Sequence, residues 1–107
     1  MTDFPNIGVV GLGTMGLGIA QVYAQAGFPV VATDTHAAAR ESASARMFEA
    51  LDARVAAGKL TKADREATLS RLTVADGLTD LAPCAMVIEA IAEKLDVKQS
   101  LFIALEH

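Results

Sequence analysis

The sequence predicts an α/β fold, a doubly wound and mostly parallel sheet with a pair of helices inserted after the second strand. Three observations predict it. Ile7–Val10 is a short apolar run rich in β-branched residues, the pattern of a buried strand. A glycine cluster then leads into a helical pattern, and a second strand-like run, Pro29–Thr33, follows that helix directly. Two strands separated by one helix make a βαβ unit, whose crossover is right-handed.

The elements follow in order. The first helix spans Met15 to Ala26, with Ile19, Val22, Tyr23 and Ala26 on one face, and Gly27 supplies its stop. Pro29 is tolerable at the start of the second strand. A long Ala-rich helix runs from about Ala37 to Ala57, where Met47, Leu51 and Val55 recur every four residues as a packing stripe. Gly58 ends it. Thr61 and Asp64 have capping-box spacing for a shorter helix reaching about Leu72. Thr73–Ala75 reads as a short third strand, Pro83 breaks a short helix, and Met86–Ile88 is another buried strand. From about Asp96, Val97, Leu101 and Leu105 fall on one face of a last helix. Leu105-Glu106-His107 reads either as its continuation or as the start of a polyhistidine tag, so the domain is taken as residues 1–104.

Bulk properties narrow the function classes. The chain has 107 residues, 52% of them hydrophobic, enough for one domain with a modest core. No uncharged apolar run approaches the ~18 residues that span a bilayer, and Met1–Pro5 lacks the basic flank of a secretory signal. A formal net charge of −4 argues against a nucleic-acid or anionic-membrane partner. Cys84 is the one cysteine, so no internal disulfide forms, in keeping with a cytoplasmic location.

The chemistry lies in Gly11-Leu12-Gly13-Thr14-Met15-Gly16, a GxGxxG set between strand and helix. Gly11 permits the tight turn, Gly13 lets a pyrophosphate approach the backbone, and Gly16 lets the helix pack closely. Amides at the helix start near Thr14 face the phosphate charge. In this context the motif predicts a Rossmann-type dinucleotide site. Asp34 stands eighteen positions past Gly16, after the second strand, where a carboxylate accepts both adenosine ribose hydroxyls. Such a carboxylate repels a 2′-phosphate and so favours NAD over NADP. Its bland alternative is a cap for the next helix. No arginine follows immediately, and His36 is either near the adenosine or simply solvated in the first helical turn.

Gly11 to Gln21 reads GLGTMGLGIAQ, and Val87 to Phe102 reads VIEAIAEKLDVKQSLF. With Gly58-Lys59-Leu60-Thr61 between the helices, the chain resembles the N-terminal domain of the 3-hydroxyacyl-CoA dehydrogenases over essentially its whole length. The resemblance implies NAD contacts at Met15, Asp34, Ile91, Ala92, Glu93 and Lys98. Ala90 to Ala92 follow a strand at its carboxyl end, where open α/β sheets bind ligands, and small residues there admit the nicotinamide ribose. Glu93 and Lys98 otherwise read as a surface ion pair, and Met15 as core packing. Glu89 directly ends an apolar strand, so burial there would require polar partners, and the expected role is structural or cleft-facing.

The resemblance also implies a whole protein that oxidises L-3-hydroxyacyl-CoA to 3-oxoacyl-CoA with NAD, acting as a homodimer through a C-terminal helical domain. The family's general base is a His–Glu pair beyond position 107. His36 and His107 do not match it, so no catalytic residue is named. Lys94 stands where the family often carries Asn, and Ala50–Gly58 offers Arg54 alone as a basic residue toward coenzyme A. Two other readings keep the same cofactor site: a carnitine or gulonate dehydrogenase, and a non-catalytic NAD-binding module.

Overall fold

A computed structural model describes residues 4–91 and 96–101. Five strands lie in one sheet in the order β3-β2-β1-β4-β5. The strands β1 (Ile7–Val10), β2 (Val30–Thr33), β3 (Leu72–Val74) and β4 (Met86–Ile91) are parallel, as predicted. Helix α1 (Thr14–Ala26) joins β1 to β2, and α2 (Ala37–Ala56) with α3 (Lys62–Ser70) forms the inserted pair. A single 3-10 turn, Leu78–Leu81, precedes β4. Strand order reverses between β1 and β4, so a crevice opens beyond their carboxyl ends.

The strand runs are continuous rather than alternating because both faces of the sheet are covered. On one face Val9, Val30 and Ala32 pack with Leu17, Ala20 and Ala24 of α1 and Ala43, Met47 and Leu51 of α2. On the other, Val87 meets Ala75, Leu81 and Cys84, with Val10 and Val31 against them. Burial pushes the Cys84 thiol up, which leaves it a small core side chain. Helix ends follow the sequence signals. Gly27 and Gly58 adopt left-handed φ values of 110° and 76°, and Thr61 Oγ1 accepts the Asp64 amide at 3.0 Å.

Two expectations are corrected. Val22 is 65% exposed and Ala26 is exposed, whereas Gly16, Leu17, Ala20 and Ala24 form the buried face of α1. Ile19 and Tyr23 of the expected face do pack against this cluster as partly buried side chains, and the small residues beside them let the helix lie close to the sheet. The predicted helix from Asp96 is instead strand β5 (Asp96–Leu101), antiparallel to β4 with Ile91 opposite Asp96 and Ala90 opposite Val97. A separation of four residues, as between Val97 and Leu101, fits helical and strand periodicity alike. The edge of β4 presents backbone donors and acceptors that need partners, and pairing with β5 supplies them. Leu105 and the tag reading lie outside the described residues.

Candidate cofactor site

The glycine loop occupies the crevice where β1 and β4 diverge. Gly11 has φ +107°, and a Cβ there would overlap the Ala90 carbonyl oxygen at the end of β4. Its amide donates to the Thr33 carbonyl of β2 at 2.8 Å, so the turn is seated between both neighbouring strands. Gly16 sits against the Gly11 carbonyl, and a Cβ there would overlap that oxygen. Glycine is therefore required twice, at the turn and at the first turn of α1. Gly13 differs: its φ of −72° suits any residue, so its conformation does not demand glycine.

Gly13 is the N-cap of α1, and no side chain among the described residues caps that end. The first turn carries no acidic residue either. A helix start leaves four amides without intrahelical acceptors, and the macrodipole makes them favourable to an anion. Thr14 and Met15 begin the helix, exposed and half-buried respectively. They border an apolar groove of about 430 Å³ with Gly18, Ile19, Val22, Tyr23 and Ile88. Met15 thus faces a groove, not the core its packing alternative placed it in.

Asp34 leaves the end of β2 and turns its carboxylate toward the loop. Oδ2 accepts the Leu12 amide at 2.7 Å, and Oδ1 accepts the His36 amide at 2.8 Å. The His36 ring Nδ1 lies 3.0 Å from the same Oδ1. Burial pushes this carboxyl up, but the bonds from Leu12 and His36 outweigh it and hold it below the ordinary aspartate range. A depressed pKa in the folded state means its stabilisation is complete at neutral pH. It is lost only as acid protonates the carboxylate below that ordinary range. The capping alternative is partly correct, since Asp34 binds the amide of His36, the N-cap of α2. It does more than cap, because it also holds the glycine loop.

Two arginines complete the surroundings, and sequence spacing had not singled out either. Arg46 Nη2 donates to the Leu12 carbonyl at 2.8 Å and the Ala39 carbonyl at 3.0 Å. The Leu12 residue is thereby gripped at both its amide and its carbonyl. Arg40 Nη1 donates to the Asp34 carbonyl at 2.7 Å. Arg46 flanks the buried Ala43–Met47 side of α2, and a charge beside an apolar stripe was the available signal. Arg40 lies six residues beyond Asp34, past the point where an adjacent arginine would be sought.

At the far side of the crevice, Ala90 is buried against the loop and Ile91 ends β4 opposite Asp96. Lys98 takes the register position opposite Glu89 on β5. Ala92 and Glu93 lie outside the described residues. Glu89 is exposed near the carboxyl end of β4, which runs on to Ile91. It needs no buried partner.

The loop, the uncapped helix start and the carboxylate after β2 form one continuous surface suited to a dinucleotide. The family model described as "3-hydroxyacyl-CoA dehydrogenase, NAD binding domain" matches residues 6–107. The 3-hydroxyadipyl-CoA dehydrogenase of Escherichia coli K12 is 41% identical over 98% of this chain and 22% of its own length. The 3-hydroxybutyryl-CoA dehydrogenase of Mycobacterium tuberculosis H37Rv is 39% identical over 95% of the chain and 36% of its own length. The chain therefore spans about a fifth to a third of these relatives. Among solved structures, the (S)-3-hydroxybutyryl-CoA dehydrogenase of Ralstonia eutropha superposes with a TM-score of 0.77 at 39% identity. That match covers 82% of this chain and 31% of the other. A 3-hydroxybutyryl-CoA dehydrogenase from Escherichia coli K12 gives 0.78 at 39% identity, over 86% and 20% of the two chains. The chain belongs to the 3-hydroxyacyl-CoA dehydrogenase family and is an NAD-binding domain of that family.

Proposed function

We propose that the whole protein oxidises an L-3-hydroxyacyl-CoA to the 3-oxoacyl-CoA, and that residues 4–91 supply most of its grip on NAD. The observation that carries this reading is the Asp34–Leu12 bond, which sets an ionised carboxylate beside an uncapped helix start. Gly11, Gly13, Thr14, Met15 and Gly16 take the pyrophosphate, and Asp34 takes the adenosine ribose. Ala90 and Ile91, with Ala92, Glu93 and Lys98 following them in sequence, take the nicotinamide ribose. Bound NAD would supply the hydride acceptor for the carbon bearing the substrate hydroxyl. The hydroxyl proton needs a base, and His36, at the Asp34 end of the crevice, is not placed to serve the nicotinamide end.

The 107-residue chain is therefore expected to bind NAD and turn nothing over. Calorimetric titration should detect NAD binding, while steady NADH production from 3-hydroxybutyryl-CoA would overturn the assignment of the base elsewhere. We further propose a cytoplasmic homodimer whose main contact lies outside this chain, as the family resemblance implies. Sedimentation of the chain at low micromolar concentration should then give a monomer. A tight dimer would place that contact within these residues.

A further inference from the structure

We propose that His36 is a proton-operated determinant of cofactor choice, its ring competing with the adenosine ribose for the Asp34 carboxylate. The proposal rests on the reading of Asp34 as the ribose acceptor. A carboxylate offers about four lone-pair positions, two on each oxygen. The His36 amide and ring take both on Oδ1, at 2.8 and 3.0 Å, while the Leu12 amide takes one on Oδ2. A ribose diol that engages both oxygens needs the position on Oδ1 where the ring stands.

Proton occupancy decides how easily the ring leaves. The His36 side chain is 83% exposed, and its other polar contact among the described residues is Thr35 Oγ1 at 3.4 Å. A neutral ring swings into water at little cost. An imidazolium makes a charge-assisted bond to the carboxylate and resists displacement. It also offsets the negative charge that would repel a 2′-phosphate.

The other charges around Asp34 do not change over the same range. Arg40 holds the Asp34 carbonyl and lies 3.9 Å from the exposed Asp76 carboxylate, and Arg46 holds the Leu12 carbonyl. Guanidinium groups stay protonated, and Asp34 stays ionised because its carboxyl is held below the ordinary range. Imidazole is the side chain whose charge changes between about pH 5 and 8.

The test is calorimetric titration of NAD and of NADP into the 107-residue chain at about pH 8 and about pH 5.5. NAD affinity should fall roughly two- to fivefold on acidification, the scale of one exposed ion pair. NADP affinity should fall less or rise. His36→Ala, at an exposed position that caps nothing with its side chain, should flatten the NAD profile. NADP keeps a slope of its own, because its 2′-phosphate takes up a proton at about pH 6. Equal pH slopes for NAD in the two proteins would overturn the proposal. Asp34→Asn at about pH 8 separates the two levels: unchanged NAD affinity there would sink the ribose reading itself. Weakened NAD binding in Asp34→Asn with a persistent slope in His36→Ala would sink the role of His36 alone.

Discussion

Gly16→Ala is expected to destabilise the domain by about 3 kcal/mol and to abolish measurable NAD binding. The added methyl would overlap the Gly11 carbonyl, which is backbone and whose own peptide is held by the Leu12 amide bond to Asp34. Relief requires either α1 or the loop to move. For a domain of this size each kcal/mol shifts the melting midpoint by about 4–8 °C, so the loss should approach 12–24 °C. Displacing a positioning group by about 1 Å costs on the order of 100-fold in function, which takes weak dinucleotide binding below detection. Gly18→Ala is the internal control. It lies on the same helix with nothing within 4 Å of its Cβ position, so it should stabilise by about 0.5–1 kcal/mol. Thermal melts of both variants followed by NADH fluorescence provide the measurement. Similar melts for the two would show that the loop yields freely, and the close-approach account would fail.

These paired glycines explain why so much of the site was legible in the sequence. A glycine required by backbone contact leaves a mark in the sequence at the position where it is needed. Gly11 and Gly16 are such cases, while Gly27 at the end of α1 is marked by its left-handed φ of 110°. The strand–loop–helix order then limits where the loop can lie, and the acidic residue after β2 falls beside it. What could not be read depends on partners distant in sequence. Arg46 reaches the loop across thirty-four positions, and no local pattern encodes that contact. The expected face of α1 is half correct: Ile19 and Tyr23 pack against the core, Val22 and Ala26 are exposed, and the closest approach is made by the small residues Gly16, Ala20 and Ala24. β5 escaped because its apolar spacing of four satisfies both periodicities, and the decisive factor is the open edge of β4. Glu89 lies within β4 and not at its end, because the strand runs on to Ile91.

Asp34→Ala is expected to weaken NAD by roughly ten- to a hundredfold, about 1.5–3 kcal/mol, the worth of one hydrogen bond to a charged group. NADP should change little or bind better, because the variant loses the charge that repels a 2′-phosphate. The geometry adds a complication that sequence reasoning did not foresee. The same carboxylate accepts the Leu12 amide at 2.7 Å and the His36 amide at 2.8 Å, so the alanine variant also frees the loop and the start of α2. A loosened loop would weaken both cofactors equally, through the pyrophosphate they share. Asp34→Asn resolves the two effects, since its amide oxygen can still accept from Leu12 while the charge is gone. The quantity to follow is the ratio of NAD to NADP affinity, measured by calorimetry in all three proteins. A ratio that falls tenfold or more in both variants supports direct ribose recognition. A ratio unchanged in both, with affinity lost only in the alanine variant, would make Asp34 a brace for the glycine loop, and NAD preference would have to come from elsewhere.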